Sequence, residues 1–395
     1  MHIDGKMEAL FQKQQSLLAG TDLSFKRYMY HRIPWESRMA GIIGPRGIGK
    51  TTMLLQYIKE QNRRDILYVS ADDIYFSNHR LIDLADEFYK FGGQHFFIDE
   101  IHKYKDWSVE LKNMYDAYPG LKVCFTGSSI LDIRKGMADL SRRALMFAMQ
   151  GFSFREYLHF QHRIETPVHS FEEIIDNRIS LTQHLEHPLP LFREYLNKGY
   201  YPMARDEYLS IRLGQILNQT LEVDIPQYAN LSVSTARKLK KLLLVISESV
   251  PFKPNFVKLA SKLEISRNSL EEYLTFMEDA GLIARLRDAS SGITGLGKVE
   301  KVYLDNPNLV IHLTPGVPEI GNLRETFFLN QMRLNNSVVA SSVADFKIGR
   351  YTFEVGGRSK SRAQIKNTVN AFVVKDNIEF GHQNVLPLWA FGLNY

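Results

Sequence analysis

The sequence predicts an α/β fold: a parallel sheet with helices on both faces, followed by a helical region and a small α/β part. Three observations predict it. Short apolar runs alternate with segments of helical spacing through the first 150 residues, a glycine-rich turn joins the first run to the first helix, and the alternation stops near Gly151. Strands alternating with helices need crossover connections, which make the sheet parallel and cover both its faces.

The first strand is Met39 to Ile43, and Thr51 to Glu60 follows as a helix with Leu54, Leu55 and Ile58 on one side. Ile66 to Val69 is the second strand. Leu81, Leu84, Ala85 and Phe88 recur at helical spacing in the next segment. His95 to Ile98 is the third strand, Trp107 to Tyr118 a helix stopped by Pro119-Gly120, Leu121 to Thr126 the fourth strand and Ala144 to Met149 the fifth. Ser153 to Tyr228 reads as largely helical, with a proline-containing break at Glu186 to Pro190. Helices at Leu239 to Ser249, Phe256 to Leu263 and Arg267 to Ala280, the last N-capped by Ser266, precede two strands, Leu282 to Leu286 and Lys301 to Leu304. Three helices and a two-stranded wing describe a winged helix. A helix from Glu325 to Leu334 and several short strands complete the chain. The expected parts are an N-terminal helix (1–20), a sheet domain (21–152), a helical region (153–237), a winged-helix domain (238–307) and a C-terminal α/β domain (308–395).

Composition is that of an ordinary globular protein, with 44% hydrophobic and 24% charged residues in 395. One cysteine, Cys124, excludes an internal disulfide and a multi-cysteine metal site; its apolar flanks make it a small buried hydrophobe. No run reaches the ~18 apolar residues of a membrane span, and the polar N-terminus lacks a secretory core. These features point to the reducing cytoplasm and no membrane association. The net charge of +5 is concentrated: residues 341–375 hold seven Lys or Arg against Asp345 and Glu354.

Gly44-Pro45-Arg46-Gly47-Ile48-Gly49-Lys50-Thr51 matches the phosphate-loop pattern G-x-x-x-x-G-K-[ST] in full, with Thr52 continuing into the helix. The glycines let successive N–H groups turn toward one anion, and the helix from Lys50 places its positive end on the phosphates. Lys50 adds a mobile charge, and the Thr51 hydroxyl suits Mg²⁺. A chance match in a chain this long is on the order of one in a hundred, and the strand before and helix after the loop lower that further. The expected ligands are therefore ATP and Mg²⁺. His95-Phe96-Phe97-Ile98 then delivers Asp99 and Glu100 at a strand end, where open α/β sheets bind ligands. Asp99 suits the metal shell and Glu100 the base that activates water.

Phe125-Thr126-Gly127-Ser128-Ser129 follows the fourth strand. Ser128, with Thr126 second, is the candidate to touch the γ-phosphate or the lytic water; the bland alternative is a polar turn. Of Arg142-Arg143, Arg143 is the candidate arginine finger, in cis or from a neighbouring subunit, against a plain surface pair. His102 reads as a local hydrogen-bonding residue, and Asp72-Asp73 as an outside candidate for water-mediated metal contact.

Together with Phe97-Ile98-Asp99-Glu100-Ile101-His102, these segments, Gly151-Phe152-Ser153-Phe154-Arg155-Glu156-Tyr157-Leu158 and Phe353-Glu354-Val355-Gly356-Gly357-Arg358-Ser359-Lys360 carry a family resemblance. The chain resembles prokaryotic AAA-type ATPases whose P-loop domain is followed by a winged helix and a C-terminal restriction-nuclease-like domain of unknown function. The resemblance implies ATP as nucleotide, an additional-strand core and a glutamate base; Arg155-Glu156 looks like a family signature but reads as a structural pair. It supplies no biological role.

Nucleic acid is an open partner, as are a protein partner and an oligomer. The candidate recognition helix has Arg267 against Glu271, Glu272, Glu278 and Asp279, which repels phosphate; the module reads instead as a packing or protein-contact element. Arg237, Lys238, Lys240 and Lys241 are the better phosphate candidates, with the basic C-terminal stretch beside them. Nuclease chemistry asks for an acid and an Asp/Glu-x-Lys trio. Asp345 and Glu354 supply acids, but Gly356 stands at the lysine position with Arg358, Lys360 and Lys366 nearby, so cleavage is not expected. Two further readings stay open beside an ATPase whose nucleotide state repositions its C-terminal parts: a nucleotide-gated scaffold with little turnover, and a nucleic-acid-processing protein.

Overall fold

Apolar runs in the first 150 residues become five strands of one sheet: β1 (Met39–Ile43), β2 (Ile66–Ser70), β3 (His95–Asp99), β4 (Lys122–Gly127) and β5 (Leu145–Ala148). In the computed structural model, residues 5–127, 140–176, 185–248, 251, 255–289, 297–314 and 316–395 are described. All five strands are parallel, in the order β2-β3-β4-β1-β5. β1 to β4 are buried almost throughout, as a sheet covered on both faces requires, whereas edge strand β5 is partly exposed. The expected α/β class is the observed one, and β4 lies between β1 and β3, the additional strand that the family resemblance implies.

Among the described residues four helices serve this sheet: α1 (Gly5–Ala19), α2 (Lys50–Gln61), α3 (Leu81–Lys90) and α4 (Trp107–Ala117). The α3 stripe Leu81, Leu84, Ala85 and Phe88 is fully buried. Burying such side chains contributes about 1.5–3 kcal/mol each, before entropy. α1 does not stand apart, as a separate 1–20 segment would. Its Met7 and Leu10 join the sheet's core, and its buried Gln14 accepts from Tyr68 N (2.7 Å) and donates to Ile66 O (3.3 Å). That amide satisfies backbone groups on edge strand β2 that no further strand pairs.

Residues 151–395 form a second compact unit, separate from residues 1–150. It begins with α5 (Phe154–His162), whose Ser153 and Glu156 make a reciprocal capping box. Arg155 donates to Tyr395 O at 2.9 Å, so both residues of the Arg155-Glu156 pair make structural contacts. α6 (Phe171–Ile175) and α7 (Pro188–Lys198) follow. Pro188 and Pro190 lie in the first turn of α7, where a missing N–H is harmless; the expected proline break is a helix start. α8 (Leu209–Gln219) runs through a wider π turn at Thr220–Asp224 into α9 (Ile225–Ala229). Pro226 has no N–H to give and its ring crowds the carbonyl four residues back, which the wider turn relieves.

α10 (Val233–Ser247), α11 (Phe256–Leu263) and α12 (Arg267–Asp279) precede an antiparallel ribbon of β6 (Ile283–Arg287) and β7 (Val299–Leu304). This is the element order of the expected winged helix, and Ser266 caps α12 by accepting from Ser269 N. α10 starts earlier than its apolar run suggests because Ser232 caps it, accepting from Thr235 N. The expected boundaries at 237/238 and 307/308 therefore fall inside α10 and inside α13 (Pro307–Leu313). α14 (Ile320–Met332) leads into β8 (Val338–Ala340), β9 (Phe346–Ile348), β10 (Tyr351–Gly356), β11 (Ala371–Lys375) and β12 (Val385–Pro387). Their sheet runs β12-β11-β10-β9-β8, parallel from β10 to β12 and antiparallel from β8 to β10. Among the described residues no helix is long and apolar enough to cross a membrane.

The ribbon is tied to α12 by Glu278, which accepts from Arg285 (2.6 Å) and Arg287 (2.8 Å). Burial opposes the Glu278 charge, but Arg287 and Arg285 outweigh it and hold the carboxyl below its ordinary value. A group with a depressed folded pKa stabilises above its unfolded value, near ~4.3, and that stabilisation fades as pH falls through the folded value. Glu278→Gln is expected to destabilise the protein by about 1–3 kcal/mol at pH 7, less than a fully buried pair because the carboxylate is part-exposed. Urea denaturation at pH 7 and below pH 4 checks this; the gap between parent and variant closes on the acid side.

Candidate nucleotide site

The loop between β1 and α2 has the backbone its glycines allow. Gly47 and Gly49 have φ of 78° and 93°, values that favour glycine. A Cβ at Gly44 would lie 2.2 Å from Met149 O, so only glycine fits against the chain leaving β5. Lys50 is 5% exposed and donates across the loop to Gly44 O (2.7 Å) and Pro45 O (2.8 Å). Burial pushes its ammonium down to about 8, with Glu100 and Asp99 acting in the other direction.

The additional strand brings the two halves of the site together. β4 pairs with β1 and β3, with Ile42 opposite Thr126 and Ile98 opposite Phe125. Thr126 therefore sits level with Asp99. Its buried hydroxyl donates to Asp99 Oδ1 and accepts from Glu100 N at 3.1 Å. On the other Asp99 oxygen, Oδ2, converge the hydroxyls of Thr51 (2.6 Å) and Tyr68 (3.0 Å). Glu100 is left-handed at φ 52°, a conformation a non-glycine residue adopts only when its surroundings hold it. Its Oε2 lies 3.5 Å from His102 Nε2 and 3.8 Å from Arg46. Burial raises the Glu100 carboxyl above its ordinary value, against Lys50 and Arg46.

Lys50, Thr51, Asp99 and Glu100 are thus brought together. Two oxygen donors, Thr51 and Asp99, already 2.6 Å apart, fit Mg²⁺, which takes few protein oxygens and keeps its waters. Ser128 lies outside the described residues, and Thr126, the second choice, is the hydroxyl the structure places on the Asp99 carboxylate and the Glu100 amide. Arg143 is not brought to the loop. β5 runs parallel to β1 with Leu145 opposite Ala40, so Arg143 lies at the N-terminal end of the sheet. The loop lies at the C-terminal end, about five residues or ~16 Å away. There Arg143 pairs with Asp116 at 2.9 and 3.0 Å, which excludes it as an in-cis finger. Asp73 caps a short helix and pairs with Lys13 at 2.6 Å. Two functional residues carried no sequence signal. Tyr68 sits in an ordinary apolar run, and Arg27, whose guanidinium donates to Ile48 O of the loop and to Gln150 O (2.7 Å), precedes the sheet.

Elsewhere three of the upstream basic candidates are engaged. Lys238 and Lys241 donate to Glu264 O and Lys262 O, and Lys240 to Asn218 and Glu222. In the C-terminal sheet Lys301 bridges Glu325 (3.2 Å) and Asp345 (3.1 Å), and Lys360 pairs with Glu354. A Cβ at Gly356 would lie 2.7 Å from the Lys360 stem, so Lys360 reaches Glu354 over the position a nuclease lysine would hold. Among the described residues no group of three or more His, Cys, Asp or Glu is arranged to hold a metal ion. The residues present do not fit a nuclease metal centre.

Removing the Thr126 hydroxyl frees the Asp99 carboxylate and the Glu100 backbone amide. Thr126→Val is expected to lower any nucleotide turnover about 10–100-fold while nucleotide affinity changes little, and Thr126→Ser to restore it. Steady-state hydrolysis beside equilibrium binding separates the two effects.

Comparison with known proteins places this geometry. Residues 36–158 match a family model described as an AAA domain, and residues 189–319 match one described as a domain of unknown function, DUF8612. An uncharacterized protein of Methanocaldococcus jannaschii is 27% identical over 286 residues, 66% of this chain and 59% of that protein; the chain thus spans little more than half the length of this relative. Among solved structures, a Walker-type ATPase of Pyrococcus abyssi overlaps 73% of this chain and 95% of its own at 13% identity and a TM-score of 0.39. AMPPCP-bound DnaA of Aquifex aeolicus overlaps 70% and 89% at 13% identity and a TM-score of 0.26. The strand order with its additional strand and the complete phosphate loop facing Asp99 give the first unit a P-loop NTPase fold, and residues 36–158 of it are those similar to the AAA domain model.

Proposed function

We propose that the protein is a Mg²⁺-dependent ATPase, converting ATP to ADP and phosphate, whose nucleotide state is transmitted to residues 151–395. The observation that carries the reading is the Thr126 hydroxyl, which fixes Asp99 and the Glu100 backbone together beside Thr51. Thr51 and Asp99 would hold Mg²⁺, which neutralises charge on the phosphates. The loop N–H groups and Lys50 bind and orient the phosphates. Glu100 takes the proton of the attacking water as its oxygen bonds to the γ-phosphorus and the bond to ADP breaks. A carboxyl raised by burial is a stronger base for that task than a solvated one.

Arg27 supports the transmission. One guanidinium links Ile48 O in the phosphate loop to Gln150 O, the last residue of the first unit. A loop that shifts around nucleotide moves a group bonded to the chain where it enters the second unit. A second reading, a nucleotide-gated scaffold with little turnover, is favoured by two contacts: Arg46 and His102 both face one oxygen of the Glu100 carboxylate. The nucleic-acid reading keeps only residues 341–375, where Lys347 and Arg350 line a cleft. A finger supplied by a neighbouring subunit stays part of the proposal.

Lys50→Ala is expected to abolish ATP binding. Glu100→Gln is expected to keep binding and lower turnover by about 10²–10⁴-fold. Hydrolysis by the full chain with Mg²⁺, with and without DNA, decides among the readings. Turnover lost in Glu100→Gln supports the ATPase, stimulation by DNA adds the nucleic-acid partner, and tight binding with equal, negligible turnover in both proteins supports the scaffold. If Glu100→Gln turns ATP over at the parent's rate, the base assignment fails.

A further inference from the structure

The phosphate loop carries a second cation besides Lys50. Arg46 falls on a position where the pattern G-x-x-x-x-G-K-[ST] asks for no particular residue. It sits at the tip of the loop, beside the exposed Gly47. An arginine at such a tip ordinarily reaches into solvent, yet only 24% of the Arg46 side chain is exposed. Its Nη1 lies 3.8 Å from Glu100 Oε2, so the guanidinium is turned inward, toward the carboxylate. Lys50, by contrast, donates within the loop, to Gly44 O and Pro45 O. The two cations of the loop are thus differently placed, one on the loop's own carbonyls and one on the group assigned to activate water.

Glu100 decides what that guanidinium can reach. A base comes within ~2.6–3.2 Å of the water it deprotonates, and that water stands ~3–3.5 Å from the phosphorus it attacks. A cation beside the Glu100 carboxylate is therefore within reach of the γ-phosphate oxygens, the end of ATP that ADP lacks. The contact to Glu100 is also easily exchanged. At 3.8 Å those two atoms are beyond hydrogen-bond range. A terminal phosphate offers several charged oxygens to a planar fork of donors that matches them. The exchange does not strand Glu100 Oε2, since His102 Nε2 lies 3.5 Å from the same oxygen. We propose that Arg46 is the loop's own contact to the γ-phosphate and, during turnover, the cation that takes up charge developing on the transferred phosphoryl group. This role rests on the ATPase reading and deepens it. The cation that Arg143 does not provide in cis comes from the loop itself, which makes Arg46 a catalytic residue and lets the chain distinguish ATP from ADP without a partner.

Calorimetric binding of Mg²⁺-AMPPNP and Mg²⁺-ADP to the full chain tests the contact, on the parent, Arg46→Ala and Arg46→Lys. In Arg46→Ala, AMPPNP affinity is expected to fall about tenfold or more while ADP affinity changes less than about threefold. Retained ADP affinity also shows that the variant loop folds. Arg46→Lys, a point charge without the fork, is expected to fall between parent and Arg46→Ala. Turnover by Arg46→Ala is expected to drop about 10³-fold or more, and ADP with aluminium fluoride is no longer trapped. Equal losses for AMPPNP and ADP in both variants, or no loss in Arg46→Ala, overturn the proposal. So does rescue of Arg46→Ala turnover by added Lys50→Ala chains, which are expected to bind no ATP but carry an intact Arg46, because the arginine then acts from a neighbour. Parent turnover that Arg46→Ala leaves unaffected overturns the Arg46 contact alone. A loss selective for AMPPNP in a chain whose parent turns over no ATP sinks the ATPase reading and leaves the γ-phosphate contact standing.

Discussion

Everything chemical in the first unit depends on one buried hydroxyl. Thr126 lies one residue from the end of a strand inserted between the two that carry the phosphate loop and the carboxylates. Without that strand Thr51 and Asp99 would have no common frame, and with it the register sets Thr126 level with Asp99. Its single oxygen then does two jobs, donating to the Asp99 carboxylate and accepting from the amide of Glu100. The second job holds Glu100 in a left-handed conformation and so fixes where its side chain starts. The Asp99 carboxylate and the Glu100 backbone are thus coupled by one atom, which explains how they stay in register in an apolar core.

What the sequence made legible follows from how local each signal is. The phosphate loop is contiguous, and its glycines and lysine are needed at fixed offsets, so the pattern reads directly. The five strands were legible because a sheet buried on both faces needs unbroken apolar runs. Tyr68 was not, since a tyrosine in such a run says nothing of its neighbour until β2 is known to lie beside β3. Arg27 was invisible for the same reason, its two acceptors being 21 and 123 residues away. Arg143 misled because closeness to β5 in sequence does not say which end of the strand it flanks. A parallel strand has its beginning and its catalytic end on opposite edges of the sheet, and Arg143 lies at the beginning. Boundaries within the second unit failed where a helix cap, Ser232, precedes the apolar stripe that announces the helix.

The nuclease-like expectation turned on a different kind of legibility. Asp345 and Glu354 were found in the sequence because their types and spacing are conspicuous, and Gly356 was noted as a departure. Lys301 was not readable at all, because it lies 44 residues before Asp345 and arrives on a ribbon. Yet Lys301 decides what those carboxylates are, since with its ammonium between them they are a paired charge cluster.

The two buried carboxylate sites of this chain therefore solve the same problem in opposite ways. Asp99 is held by neutral hydroxyls, from Thr51, Thr126 and Tyr68. A hydroxyl has lone pairs as well as a proton, so it can rotate and share an arriving cation without any strand moving. Glu325 and Asp345 are held by an ammonium, which has no lone pair and repels an arriving cation. Tyr303, two residues along β7, donates to the same Glu325 oxygen, so Lys301 and Tyr303 together tie β7 to α14. Neutral donors make a site that is ready in place. A charged donor makes one whose carboxylates are already paired in place.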